Sequence, residues 1–231
     1  MSGGGAARAA LEWTARTGAE YRSAAVTAEV LHLAIALGLP RPLLDRISGV
    51  VADELDHAAL SRACAVALGA EGPGPGLELD ALAPPRGPPL PRLVALVLRE
   101  LCVGETLAVP LFQALRAQAD HPACRPALDR VLRDEANHRQ LGWELLDALI
   151  ELDPAGVVAF CEREAPRALV DAWRVYGELP DADPPVSAAE RAAGLMPSAA
   201  WREVTRAALR DDLLPRLQRR GICRAARAWP W

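Results

Sequence analysis

The sequence contains only four histidines, and two of them lie in the same local pattern. One segment reads DELDH and the other reads DEANH, so both have the form DExxH. On an α-helix, residues three positions apart lie on neighbouring turns of one face. The glutamate and the histidine of each segment can therefore reach a common metal ion. The four candidate ligands are Glu54, His57, Glu135 and His138.

Apolar spacing and chain-breaking residues predict four long helices to carry these segments. The predicted ranges are about 11–37, 42–68, 91–119 and 120–152. Only a few residues join the first helix to the second and the third to the fourth, so each pair is expected to be antiparallel. In both DExxH helices the glutamate and the histidine fall on the apolar stripe. We therefore expect both pairs to point into the core of a bundle.

The connection between the second and third helices has a different composition. Residues 69–91 are rich in proline and glycine, which favours an extended chain of about 3 Å per residue. Such a strap is long enough to run beside a helix of roughly 40 Å. This predicts one long crossover between two antiparallel pairs. The alternative is a flexible interdomain linker.

Residues 153–231 are predicted to form accessory helices that pack on a bundle domain of residues 1–152. A helix with breaks is expected from about Ala155 to Tyr176, and a last one from Ser198 to about Arg219. Ser187 and the glutamate three residues later have the spacing of a capping box.

The amino-acid composition supports an all-α fold and argues against some classes of function. Strand-forming residues are scarce, lysine is absent, and the net charge is −4. Nucleic acid is therefore not an expected partner. The apolar stretches are too short to span a bilayer, and the first residues do not resemble a secretory signal, which favours a cytoplasmic location. The five cysteines form no CxxC pair and are expected to be reduced thiols.

Two further acids complete the candidate centre. Buried carboxylates require cations or proton-sharing partners, and a two-metal site in a bundle takes a glutamate from each helix. Glu20 lies on the inward stripe of the first helix, and Glu100 aligns with the apolar stripe of the third. Glu105 is rotated by about 140° from Glu100 on regular helical geometry. It is expected only as an alternate ligand, if Pro110 distorts the helix.

This order of residues resembles the di-iron carboxylate pattern of ferritin-like proteins, closest to the rubrerythrin and tRNA-hydroxylase style of DExxH. The resemblance covers about residues 11–152 and implies a ferritin-like four-helix bundle. It implies terminal ligands at Glu20 and Glu100, bridging carboxylates in the two DExxH glutamates, and one imidazole on each metal. The preceding acids, Asp53 and Asp134, would hydrogen-bond the metal-bound histidines.

The expected cofactor is a pair of iron ions, with manganese as the second choice. The expected function is an oxidoreductase that uses O2 or peroxide to hydroxylate, desaturate or N-oxygenate a small organic substrate, with electrons from an external donor. A homodimer is among the expected assemblies. The alternatives are an iron-handling ferroxidase or peroxide scavenger, and a non-catalytic helical interaction module.

Overall fold

The computed structural model of the chain describes residues 3–75, 87–178 and 184–228. All the regular secondary structure of these residues is helical, which confirms the all-α class. Four rods form a bundle, and the third is a continuous helix with a π-helical segment in its middle. The rods are α1 (Gly3–Ala36), α2 (Arg41–Ala67), α3 (Pro89–Leu96) with the π segment Val97–Gly104 and α4 (Glu105–Gln118), and α5 (Cys124–Leu152).

The ends of the helices follow from local sequence. After α1 the chain turns at Gly38, whose φ of +70° suits a residue without a Cβ. The N–H of Leu39 bonds the carbonyl of Ala34 at 3.0 Å, which closes the α1 terminus. Proline in the first turn begins α2, because its missing N–H is not needed there.

Contacts between α2 and α5 show the direction of each rod. His57 contacts Asp134 while Asp53 contacts His138, so the two helices are antiparallel. Since α4 and α5 are joined by a short turn, α4 is parallel to α2. The chain between α2 and α3 must therefore connect opposite ends of the bundle. About half of the predicted strap, residues 76–86, lies outside the described residues.

Large apolar side chains fill the bundle along its length. They include Trp13, Ile47, Leu98, Leu107, Leu128 and Leu145, which are all at most 1% exposed. Each buried leucine or isoleucine contributes about 1.5–3 kcal/mol through removal of apolar surface from water. This core holds the four rods in fixed positions relative to one another.

The later helices pack on the bundle. They are α6 (Pro154–Tyr176), α7 (Ala188–Ala192), α8 (Ser198–Ala208), the π segment Leu209–Leu213, α9 (Leu214–Arg219) and α10 (Arg224–Ala228). The Trp13 indole donates to the carbonyl of Ala193 at 2.8 Å, and the Arg220 guanidinium pairs with Asp147 on α5. The capping box predicted at Ser187 is present at the start of α7. A second π segment, upstream of Pro215, interrupts the predicted last helix. None of the helices in the described ranges combines the length and hydropathy that a membrane span needs.

Candidate metal centre

Six acidic and histidine side chains meet at the middle of the bundle, and all are between 0% and 8% exposed. They come from all four rods: Glu20, Glu54, His57, Glu105, Glu135 and His138. Two overlapping groups bring their ligand atoms within 4.8 Å of one another. One group is Glu20, Glu54, His57 and Glu135, and the other is Glu54, Glu105 and His138. These buried groups could hold a metal ion.

The two central glutamates lie between the two histidines. His57 Nδ1 is 3.7 Å from Glu54 Oε2 and 3.7 Å from Glu135 Oε1. On the other side, His138 Nδ1 is 3.4 Å from Glu54 Oε1 and 3.8 Å from Glu135 Oε2. Each carboxylate thus directs one oxygen toward each histidine. This is the arrangement that two bridging carboxylates require.

An aspartate on the opposite helix orients each imidazole. His57 Nε2 lies 3.0 Å from Asp134 Oδ2, and His138 Nε2 lies 3.3 Å from Asp53 Oδ2. A carboxylate accepts from N–H, so the hydrogen bond places the imidazole proton on Nε2. The Nδ1 lone pair of each histidine is then free to coordinate a cation. Each Asp of a DExxH segment therefore serves the histidine of the other segment.

Arg130 joins the two aspartates. Its guanidinium forms an ion pair with Asp134 on the same helix and lies 3.1 Å from Asp53 on α2. The guanidinium thus holds both aspartates beside the histidines that they contact. The sequence analysis missed this residue. The signal that could have identified it was the i,i+4 spacing from Arg130 to Asp134.

The cluster contains buried polar atoms that lack a hydrogen-bond partner among the described residues. They are Glu54 Oε2, His57 Nδ1, Glu135 Oε2 and His138 Nδ1. All four are acceptor atoms of the kind that bind metal, and a buried acceptor without a partner costs about 1–3 kcal/mol. A cation between them would satisfy all four at once. The residues present therefore fit a metal centre.

The buried carboxyl groups of the cluster differ in their pKa values. Burial and the neighbouring acids raise the pKa of Glu20 and Glu135 well above the usual range, and burial raises the pKa of Glu105 to about 8. Burial also acts on Glu54, but its interactions with the neighbouring His138 and His57 prevail and lower its pKa to about 2. Without a cation, the cluster therefore retains protons that metal binding would displace.

Glu105, and not Glu100, lies in the cluster, and this differs from the sequence analysis. The π segment is the physical reason, because its i→i+5 hydrogen bonds widen the helix and change the direction of every residue that follows. The N–H of Glu105 bonds the carbonyl of Glu100, which is an i→i+5 bond. The distortion lies before Glu105 and not at Pro110, where it was expected. Glu100 is exposed.

Gly142 on α5 allows the π segment to pack closely. A Cβ at this position would lie 2.5 Å from the backbone oxygen of Leu101 and 2.6 Å from its carbonyl carbon. The Cys102 thiol donates to the carbonyl of Gly142 at 3.3 Å. The contact between α5 and the widened turn therefore depends on the absence of a side chain at position 142.

A cavity of about 210 Å³ reaches the cluster. Its walls include four glutamates of the centre, Glu20, Glu54, Glu105 and Glu135. Apolar side chains of α4 form another wall, and Tyr176 and Trp201 from the later helices close the outer side. Burial, with the negative charge of nearby glutamates, raises the pKa of Tyr176 to about 12. Its hydroxyl therefore remains a hydrogen-bond donor at neutral pH.

Comparisons with known proteins do not assign the chain to a family. No protein-family model, curated protein or solved structure matches this chain.

Proposed function

We propose that the chain is a ferritin-like di-iron oxidoreductase that uses O2 or peroxide to oxidise a small organic substrate. One observation carries the proposal: Glu54 and Glu135 each direct one oxygen toward each of two histidines whose Nδ1 atoms have no other partner. A single-metal site would not need this symmetry. The parallel direction of α2 and α4, which requires a long crossover between them, agrees with the ferritin-like arrangement.

Each of the two metal ions would have the same kinds of ligand. Glu20 and His57 would hold one ion, and Glu105 and His138 the other, with Glu54 shared. Glu135 would also be shared, because its oxygens face both histidines. Carboxylate and imidazole ligands with open coordination positions suit iron or manganese better than zinc. Glu105 takes the terminal role that the resemblance assigned to Glu100.

Two such ions would supply the capacity to transfer electrons between an oxidant and a bound substrate. The chain's own residues do the rest. The aspartate partners keep each imidazole proton on Nε2, and the apolar walls of the cavity exclude water from the substrate. The Tyr176 hydroxyl keeps its proton and can donate a hydrogen bond within the cavity. The cavity favours an organic substrate over the iron-handling alternative, because iron storage needs no space beside the centre with apolar walls such as Leu111 and Phe112.

Metal titration tests the centre. Wild-type protein should bind two Fe(II) or Mn(II) ions per chain under anaerobic conditions, measured by elemental analysis after gel filtration. Glu54→Gln and Glu135→Gln should lose paired binding, because each glutamine removes a bridging oxygen charge. Glu105→Gln should retain about one ion.

The matched control is Glu100→Gln, which removes an exposed carboxylate five residues from Glu105. It should retain two ions per chain. Loss of an ion from this control, or paired binding in the Glu54→Gln variant, would contradict the assigned ligand set. Oxygen consumption by the Fe(II) protein with and without small organic acids, amines and alcohols then tests the oxidase activity.

A further inference from the structure

Arg16 lies one helical turn before Glu20 on α1 and lines the cavity that reaches the centre. It also lines a second cavity of about 580 Å³. Tyr176 and Trp201 are shared walls of the two cavities. Arg16 therefore stands where a molecule passing from the outer cavity to the centre would meet it.

The ring of Trp13 on α1 and the backbone after α7 fix the guanidinium of Arg16. Its Cζ lies 4.5 Å from the centroid of the Trp13 ring, and its Nη2 donates to the carbonyl of Gly194 at 3.1 Å. The other terminal nitrogen, Nη1, is buried and has no hydrogen-bond partner among the described residues. A preorganised guanidinium with a free donor is a strong site for a carboxylate, since less side-chain entropy is lost on binding.

The charge balance around Arg16 is incomplete. In the described parts of the chain, no carboxylate lies within ion-pair distance of its guanidinium, although Glu12 and Glu20 act on it from further away. In the proposed centre, four glutamates balance two divalent ions, so Glu20 would no longer offset the arginine charge. A buried cation without a counter-ion is unfavourable. An anionic ligand would correct this.

We propose that the substrate is a small organic acid whose carboxylate binds Arg16 while its apolar part extends along the cavity to the metal centre. This deepens the proposed function and rests on it for the end of the substrate that is oxidised. Side chains four residues apart on a helix are separated by roughly 5–6 Å at Cβ. The oxidised carbon would therefore lie within a few bonds of the carboxylate. The apolar walls at Leu111, Phe112 and Trp201 suit an aromatic or branched aliphatic body.

The test compares benzoate with benzamide, which has nearly the same shape but no charge. Both are titrated calorimetrically into metal-free and metal-loaded protein. Wild-type protein should bind benzoate at least about tenfold more tightly than benzamide. Arg16→Met should reduce that preference to less than about twofold, and Arg16→Lys should keep part of it, since lysine retains the charge but not the planar fork.

The control is Arg125→Met, because Arg125 is an exposed arginine on α5 that lines neither cavity. Its preference for benzoate should equal that of wild type. Equal binding of the two probes by wild type, or an unchanged preference in Arg16→Met, would overturn the proposal. A preference that requires metal and survives in Arg16→Met would also overturn it, by showing that the carboxylate binds the ions. If Arg16→Met fails to fold, judged by circular dichroism, the Arg16→Lys variant decides: full preference refutes, and reduced preference supports.

The two proposals can fail separately. Protein that binds no metal would disprove the di-iron centre, while an Arg16-dependent preference for benzoate in that same sample would still support the carboxylate site. Paired metal binding without any preference for benzoate would disprove only the carboxylate site.

Discussion

In the metal-free protein, replacing Glu105 with glutamine should raise the free energy of unfolding relative to wild type, by an amount that grows with pH. Burial raises the pKa of Glu105 from 4.5 to about 8. The folded state therefore keeps a proton that the unfolded state releases. The contribution of the Glu105 carboxyl group to the free energy of unfolding is fully present below pH 4.5. It is lost as the pH rises through about 8.

The magnitude follows from the pKa difference. One pKa unit corresponds to about 1.4 kcal/mol. Because Glu105 ionises in the unfolded state but not in the folded state between pH 4.5 and pH 8, the free energy of unfolding falls by about 5 kcal/mol over this range. Between pH 5.5 and pH 7.5 the difference between variant and wild type should grow by about 3 kcal/mol.

Urea denaturation of both proteins in chelator, at several pH values, measures this difference. Taking variant minus wild type cancels the groups that titrate equally in both. With saturating Fe(II) or Mn(II) at pH 7.5, the advantage of the variant should shrink by about 2.7 kcal/mol, because wild type has one more site and a ligand at 100 times its dissociation constant adds about 2.7 kcal/mol per site. A difference that stays constant between pH 5.5 and pH 7.5 would refute the buried, protonated state of Glu105. An advantage of the variant that metal leaves unchanged would refute the role of Glu105 as a ligand.

Three further changes test the supporting structure. Gly142→Ala places a Cβ against the backbone of Leu101 and should destabilise the protein by about 1–3 kcal/mol in urea denaturation. Metal analysis of the same variant should show the loss of one metal site, because the π turn moves. Asp134→Asn should weaken metal binding about 10- to 100-fold, because the amide no longer fixes the His57 tautomer; competition with a chelator measures it. Trp13→Phe leaves a buried carbonyl of the later helices without its donor and should lower stability by about 1–3 kcal/mol in urea melts, with secondary structure unchanged.

Much of the fold was predictable because it depends on local signals. Apolar spacing predicts the four long segments, and turn residues predict the end of α1 near Gly38 and Pro40. The spacing of a serine and a glutamate predicts the capping box at Ser187. These signals act over a few residues, so a single sequence contains them. The π segments were not predicted, because the spacing argument assumed regular helical geometry throughout.

The candidate site was predicted in part. Glu54, His57, Glu135 and His138 face one another as the two DExxH segments indicate, and Glu20 joins them. Glu105 replaces Glu100 because the π segment rotates the helix that follows it, and the nearby Gly142 contact occurs only once the helices are packed. A helical wheel cannot represent either effect.

The sequence by itself determined which residue types could bind a cation and which short segments place them on one helical face. Those properties depend on side-chain chemistry and on neighbours three or four positions away. Only the tertiary structure decided that each aspartate orients the histidine of the other segment, that Arg130 joins the two acids, and that later helices complete the cavity beside Arg16. Apart from the Arg130–Asp134 pair, each of these contacts joins residues far apart in the chain, and packing of the whole core brings them together.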